Sequence, residues 1–428
     1  MDRREPDSKD RSDTPNGEQL PLGALTSSSK HTLEHALEHV MSASRERSCL
    51  EALELTGTVH RRLVEGRIDL FRKPAQYWAQ SLAANRERAW QIGDLVHLPK
   101  TQGSLFLFSD LEGHKPVVEE AFRKHRLVER MIANNPNDHV YVVLMGDTID
   151  RDGDQASEIL EAMYDLQVHW GLWHNIYLLA GNHELDPDGI QRSPKQGGFF
   201  QEVCYHRESY QKKDSEQSAL ADGSKEMIDF MCEWVRSYYP ENYGCDELLV
   251  ALWRVYNQVF LNSPKSIVTD NGLFISHAGI TDKGPFDVIR EGDCTTQPSI
   301  PECLRWLSLA TYDRRTLEDV VWSDYTTDSA YTTLNKRGGL VDGKPTAGPG
   351  LAFGCESLKR FLGLLGDKTC MIRGHQVAVP EGCKIMSDSV WTNGTNLVTF
   401  NSARYGEYLE VPMGVNILSP EQITIHRS

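Results

Sequence analysis

The sequence has no C-x-x-C pair, and none of its nine cysteines is followed by arginine six positions on. The first absence removes the common zinc-ribbon and dithiol redox spacings. The second removes the spacing that cysteine-based phosphoryl transfer requires. An odd number of cysteines without such pairs reads as free thiols, which predicts a reducing, cytoplasmic compartment. No apolar run approaches 18 residues, and no apolar segment follows the basic N-terminus, so neither a membrane span nor a secretory signal is predicted. Positive charge is also scarce: 45 Lys and Arg stand against 61 Asp and Glu, for a formal net charge of −16. Such a chain lacks the surplus of Lys and Arg that displaces counterions from nucleic acid, so no nucleic-acid partner is expected.

What is present suffices for a large folded unit. The 428 residues are 39% hydrophobic, with 9 Trp, 15 Tyr and 13 Phe, which allows two or three domains or one large α/β unit. Residues 1–29 are polar and read as a disordered leader. Residues 30–100 read as a helical N-terminal extension, on the 3–4 spacing of Leu33, Leu37, Val40 and Met41. His31, His35 and His39 share one face of it, beside Glu34 and Glu38, and read as a solvated stripe. Residues 101–428 form the functional domain, interrupted by a polar, then helical, insertion at about 187–248.

From Leu105 onward, short apolar runs end in polar clusters: LFLFSD, VYVVLMGD, NIYLLAGNHE, GLFISHAG, TCMIRGH and LVTFNSARYG. Helical stretches lie between several of them. This texture predicts an α/β sheet, and ligands of such sheets bind at the carboxyl ends of the strands. The residues at those ends are Asp110 and Glu112, then Asp147, Asp150 and Arg151 of GDTIDRD, Asn182 and His183 of GNHE, His277 of SHAG, and His375 of RGH. Carboxylates, an amide oxygen and imidazoles suit first-row divalent metals. They are too many and too mixed for one four-coordinate structural zinc. Two ions sharing a carboxylate would activate a nucleophile and clamp an oxyanion, while arginines hold phosphate bidentately.

Seven motifs in this order, from about Leu105 to Tyr408, resemble the phosphoprotein phosphatase family of metallophosphoesterases. They are Asp-x-(ligand)-Gly, Gly-Asp-x-x-Asp-Arg, Gly-Asn-His-Glu, Ser-His-Ala-Gly, Trp-Ser-Asp, Asn-Lys-Arg-Gly and Arg-Gly-His. The resemblance implies a two-sheet β-sandwich flanked by helices. It implies two divalent ions, with Mn favoured over Fe, Zn or Mg. Asp110 would bind the first ion, Asp147 would bridge both, and Asn182, His277 and His375 would bind the second. Arg151 and Arg337 would hold the phosphate, with Asn182 and Tyr405 beside it. His183, oriented by Asp150, would protonate the leaving oxygen. The implied activity is hydrolysis of phosphoserine or phosphothreonine in protein substrates by direct attack of a metal-bound hydroxide, with a regulatory partner left open. Hydrolysis of phosphotyrosine or dinucleoside polyphosphates in the same site is one alternative, and a catalytically dead phosphate-binding scaffold is another.

The sequence departs from the family pattern. Glu112 stands where the family has histidine; it binds through oxygen and makes the first site harder, which favours Mn or Mg. His114, two residues on, is a competing ligand at the wrong spacing. Ser109, Asp152 and Ala278 replace family glycines, and the loop from Arg337 to Gly354 is long. Within that loop, GGLVDGKP nearly matches a nucleotide-binding P-loop. It fails at Pro345, where Ser or Thr belongs, and no apolar strand precedes it.

Overall fold

The computed structural model describes residues 89–148, 156–168, 170–185, 263–290, 298–310, 313–335, 340–341, 344–345, 349–366 and 368–428. The leader, nearly all of the N-terminal extension and the insertion expected at about 187–248 lie outside the described residues.

Two sheets carry the fold. The first has eight strands: β1 (Trp90–Ile92), β2 (Leu95–Leu98), β6 (Ser266–Thr269), β7 (Leu273–Ser276), β13 (Cys370–Arg373), β16 (Leu397–Phe400), β15 (Val390–Thr392) and β14 (Lys384–Ile385), in that spatial order. The second has five: β18 (Thr424–Arg427), β17 (Glu407–Pro412), β3 (Gly103–Phe108), β4 (His139–Leu144) and β5 (Ile176–Leu178). A smaller sheet orders β8 (Asp324–Tyr325), β12 (Leu351–Phe353) and β9 (Thr333–Leu334), and β10 (Leu340–Val341) pairs with β11 (Lys344–Pro345).

The period-2 alternation of side chains along each strand sorts them into layers. Leu105 and Leu107 of β3 join Tyr141, Val143, Ile275, Ile372, Val398, Leu409 and Val411 in one buried cluster drawn from both sheets. Phe106 and Phe108 point the other way, onto α1 (Lys115–His125), α2 (Leu127–Ala133) and α3 (Ala156–Val168) through Val117, Phe122, Met131 and Met163. The outer face of the larger sheet is covered likewise. Phe274, Met371 and Leu397 pack with Leu304 and Leu307 of α4 (Ile300–Leu307) and, beyond α5 (Arg314–Trp322) in the chain, with Leu358 and Phe361 of α6 (Cys355–Leu364). The result is helices, sheet, sheet, helices: the expected sandwich. Each buried apolar side chain contributes ~1.5–3 kcal/mol, and a one-residue slip of β3 would send all four of its apolar residues to the wrong layer.

One expected boundary moves. The extension was expected to stay helical to residue 100, yet Trp90–Ile92 and Leu95–Leu98 form a hairpin at the edge of the larger sheet. Leu95–Leu98 is buried at every position and runs parallel to β6. A four-residue buried run shows no alternation, so its period could not separate it from the helix before it. Cys303, Cys355, Cys370 and Cys383 are free thiols. No helix among the described residues is long and apolar enough to cross a membrane.

Parallel pairing positions the functional residues. β3, β4 and β5 are mutually parallel, as are β7, β13 and β16. Their carboxyl ends therefore emerge at common sheet edges, with loops 109–114, 145–148, 179–185, 277–282 and 374–376 following them directly.

Candidate metal centre

The turn after β3 is laced to the loop after β4. Asp110 N–H donates to the Gly146 carbonyl (3.1 Å), Glu112 N–H to the Asp147 carbonyl (2.9 Å) and Gly113 N–H to the Thr148 carbonyl (2.9 Å). The backbone there is strained. Among the described residues, six non-glycines have positive φ. Arg126 and Asn134 are helix C-caps. The other four are Asp110 (48°), Glu112 (46°), Asp147 (51°) and His375 (67°). Each left-handed non-glycine residue costs ~1–3 kcal/mol, and such residues persist only where their surroundings over-determine them.

Two glycines explain why the motifs GNHE and RGH each need glycine just there. A Cβ on Gly181 would lie 2.3 Å from Asp147 Oδ1, and one on Gly374 would lie 1.7 Å from Ser109 Oγ and 2.2 Å from Asp110 Oδ2. Main chain must approach both carboxylates more closely than any side chain permits. The close approach is used: the His375 N–H donates to both oxygens of Asp110 (3.1 and 2.9 Å), and the His183 N–H donates to Asp147 Oδ1 (3.0 Å). Ser109 Oγ donates to Asp110 Oδ2 (2.6 Å). Ser109, which replaces a family glycine, thus supports the first carboxylate.

Asp147, His277 and His375 offer ligand atoms all within 4.8 Å of one another. Asn182 Oδ1 lies 2.9 Å from His277 Nε2 and 2.8 Å from His375 Nδ1, and Trp322 stands edge-on to the His375 ring. The tautomer of His277 follows from its surroundings. Its Nδ1 faces the Met145 carbonyl at 2.9 Å, so Nδ1 carries hydrogen. Its Nε2 then faces two oxygens, Asn182 Oδ1 and Asp147 Oδ2 (3.3 Å). A bare lone pair there would meet only acceptors; a proton or a cation must sit between them.

Electrostatics agree. Burial works against a charge on His277, but Asp147, Asp110 and Glu184 hold its pKa above the ordinary imidazole value. Burial also opposes the ionised form of Asp147, yet His183, His277 and His375 outweigh it and keep the carboxyl well below its usual range. Asp110 is pushed the other way, mainly by burial and by the Asp147 charge. The donor set, buried except for the half-buried His375 and free of Lys and Arg, fits a divalent ion.

Glu184 is a residue the sequence reading missed. Its carboxylate accepts from three main-chain N–H groups: Asp147 and Gly181 on Oε2 (2.8 Å each) and Thr148 on Oε1 (2.6 Å). It ties the GNHE turn to the Asp147 loop and fixes the left-handed Asp147. Burial, with help from Asp147, pushes its pKa up to about 7. The available signal was an acid two residues after Asn182, at the end of a buried strand.

The other expected site residues are placed as follows. Glu112 is half-buried in the strained turn. His114 caps the start of α1, and neither it nor Glu112 joins the tight group around Asp147. His183 Nε2 lies 3.6 Å from Asp147 Oδ2. Tyr405 ends α7 (Ser402–Tyr405), 40% exposed and with Arg404 over its ring. That helix is docked on the Asp110 turn, since Ser402 and Ala403 N–H donate to the Ser109 and Asp110 carbonyls (2.7 and 3.2 Å). Asp150, Arg151 and Arg337 lie outside the described residues.

The pattern of the calcineurin-like phosphoesterase family matches residues 88–378. Among solved structures, a protein serine/threonine phosphatase from Saccharomyces cerevisiae with similarity to human phosphatase PP5 is 16% identical, over 83% of this chain and 89% of that one, with a TM-score of 0.42. A cold-active protein tyrosine phosphatase of a psychrophilic Shewanella is 15% identical, over 76% and 78% of the two chains, with a TM-score of 0.38. No curated protein sequence matches the chain significantly.

Proposed function

The chain belongs to the calcineurin-like phosphoesterase family, and we propose that within it this chain is a two-metal protein phosphatase acting on phosphoserine and phosphothreonine. The observation that carries the reading is His277: with Nδ1–H committed to the Met145 carbonyl, its Nε2 faces only oxygens of Asn182 and Asp147. That arrangement supports a cation held at the strand ends.

Asp147, Asn182, His277 and His375 would hold one ion, and Asp110 with Asp147 the other. Glu112 is proposed as a further ligand of the ion held by Asp110. Its extra negative charge makes the site harder and favours manganese. A pair of ions held by these residues would supply water activation and would offset the charge that develops on phosphate.

The chain's own residues do the rest. Asp147 is proposed to serve both ions with one carboxylate, and Glu184 accepts from its main-chain N–H and holds it in its left-handed conformation. Asn182 presents its amide oxygen to the two imidazoles. His183, with its backbone fixed on Asp147, would protonate the departing serine or threonine oxygen, and Asp150 is proposed to orient it. Arg151 and Arg337 are proposed to hold the phosphate oxygens bidentately, with Tyr405 at the rim, on the helix docked against the Asp110 turn. In this reading the carboxylates and metal-side imidazoles are committed to the ions and His183 to acid catalysis, so no phosphoenzyme is expected.

The test is a panel of phosphoserine, phosphothreonine and phosphotyrosine peptides and a dinucleoside polyphosphate, assayed with Mn, Mg, Zn and Fe. Fastest turnover on the serine and threonine peptides with manganese supports the proposal. A preference for tyrosine or for the dinucleotide would reassign the substrate while keeping the site.

A further inference from the structure

A second group of ligand-type side chains lies on the outer face of the five-stranded sheet, away from the strand ends. His125 closes α1, Glu410 lies in β17 and His426 in the edge strand β18. Their ligand atoms all fall within 4.8 Å of one another. Glu410 pairs across the sheet with Phe106, four residues before Asp110. At ~3.3 Å per residue this places the group ~13 Å back along the sheet from the strand-end centre.

The register of β17 and β18 explains the convergence. Tyr408 stands opposite His426 and Glu410 opposite Thr424. His426 and Glu410 are therefore diagonal neighbours on one face, and side chains that far apart still reach each other. Glu410 Oε2 lies 2.8 Å from His426 Nε2, while Oε1 accepts a hydrogen bond from Ser104 Oγ (2.6 Å). His125 is held by the Tyr408 hydroxyl, 2.9 Å from its Nε2, and packs on Phe106 with ring centroids 4.8 Å apart. The two histidine rings are 4.7 Å apart, and Tyr408 stacks on His426. Both side chains of the Glu410–His426 pair are about four-fifths buried, at 26% and 17% exposure.

We propose that His125, Glu410 and His426 form a second divalent-metal site, independent of the strand-end centre, which takes zinc with water in the fourth position. Two imidazoles and one carboxylate are a donor set that zinc accepts, and three protein ligands leave one position open. The outer contacts are those of a ligand set already oriented: Ser104 on the free oxygen of the carboxylate, and Tyr408 on an imidazole. The ion would tie edge strand β18 to the end of α1, which the His125 and His426 rings already bring together at 4.7 Å. The competing arrangement is a plain ion pair of Glu410 with a protonated His426 inside an aromatic stack.

The experiment uses the full chain, stripped with chelator and then titrated with Zn²⁺ against a chromophoric competitor, with Co²⁺ as a spectroscopic probe. Wild type, Asp147→Asn, His426→Ala and His125→Gln are compared. The site predicts that Asp147→Asn keeps one zinc of unchanged affinity and the strong visible bands of tetrahedral cobalt. His426→Ala and His125→Gln should each weaken that zinc at least ~10²-fold, given that losing an outer contact alone costs 10–100-fold. They should keep their ability to bind manganese at the strand ends, and with those sites saturated by manganese, zinc should raise the thermal midpoint of wild type but not of either variant. Zinc binding unchanged in both histidine variants overturns the site, as does its complete loss in Asp147→Asn. If the histidine variants fail to fold, the cobalt spectrum of Asp147→Asn decides alone: tetrahedral bands support the site and their absence overturns it.

Discussion

The two ligand clusters of this molecule are built in opposite ways. The group around Asp147 rests on backbone: left-handed non-glycine residues at Asp110, Glu112, Asp147 and His375, glycines at 181 and 374 with no room for a Cβ, and main-chain N–H groups on each carboxylate. The group of His125, Glu410 and His426 rests on side chains projecting from two regular strands and from a helix end capped by the left-handed Arg126, with Ser104 and Tyr408 as their supports. Strain costs stability and is kept only where surrounding structure enforces it. The difference teaches that the strand-end geometry is dictated by the main chain. It should therefore fail when the backbone is disturbed, whereas the outer cluster should fail only when a ligand is removed.

The largest contrast is between the central ligands. Asp147→Asn should remove most strand-end metal and lower kcat/KM at least ~10³-fold, since it takes away the charge that the two proposed ions would share. His426→Ala should change kcat/KM less than about twofold. Metal analysis beside steady-state kinetics measures both; equal losses would erase the distinction between the clusters.

His183→Asn should slow phosphoserine peptides by ~10²–10⁴-fold and p-nitrophenyl phosphate far less, because a good leaving group needs little protonation. Equal losses on the two substrates would make His183 a structural neighbour of Asp147 only.

Gly374→Ala tests the backbone directly. The new Cβ must displace Ser109 or Asp110, and a misplacement of about 1 Å commonly costs ~10²-fold in rate. The matched control is Gly363→Ala, exposed in α6 with nothing within 4 Å of the new methyl. It should leave kcat/KM unchanged.

Smaller again is Glu184→Ala. It leaves the N–H groups of Asp147, Thr148 and Gly181 without their acceptor, at ~1–3 kcal/mol for each buried group that finds no other partner. Urea unfolding should show a loss of at least ~2 kcal/mol, and Glu184→Gln, which keeps an acceptor oxygen, a smaller one. The least effect is expected in the control itself: Gly363→Ala should stabilise by ~0.5–1 kcal/mol through helix propensity.

Legibility in the sequence followed the same division. Asp110, Asp147, Asn182, His277 and His375 each close a buried apolar run, and parallel strands bring such ends together, so the α/β sheet and its candidate ligand edge could be read from texture and order, while the two-sheet sandwich came from the family resemblance. Glu184 could not, because its partners are main-chain N–H groups whose positions exist only once the Asp147 loop has folded. The β1–β2 hairpin was absorbed into the extension because Leu95–Leu98 is too short to show a period. His125, Glu410 and His426 escaped notice because they meet only through the register of β17 on β18 and the length of α1, neither of which any local pattern encodes.

The most direct test of metal-dependent phosphatase chemistry at the strand ends is turnover of a phosphoserine peptide before and after chelation, followed by add-back of Mn²⁺. The chelated chain should lose nearly all turnover and recover it as about two ions return per strand-end centre, while Asp147→Asn recovers neither. Undiminished turnover in the metal-free chain, or no phosphate release from any phosphopeptide under saturating manganese, would contradict it.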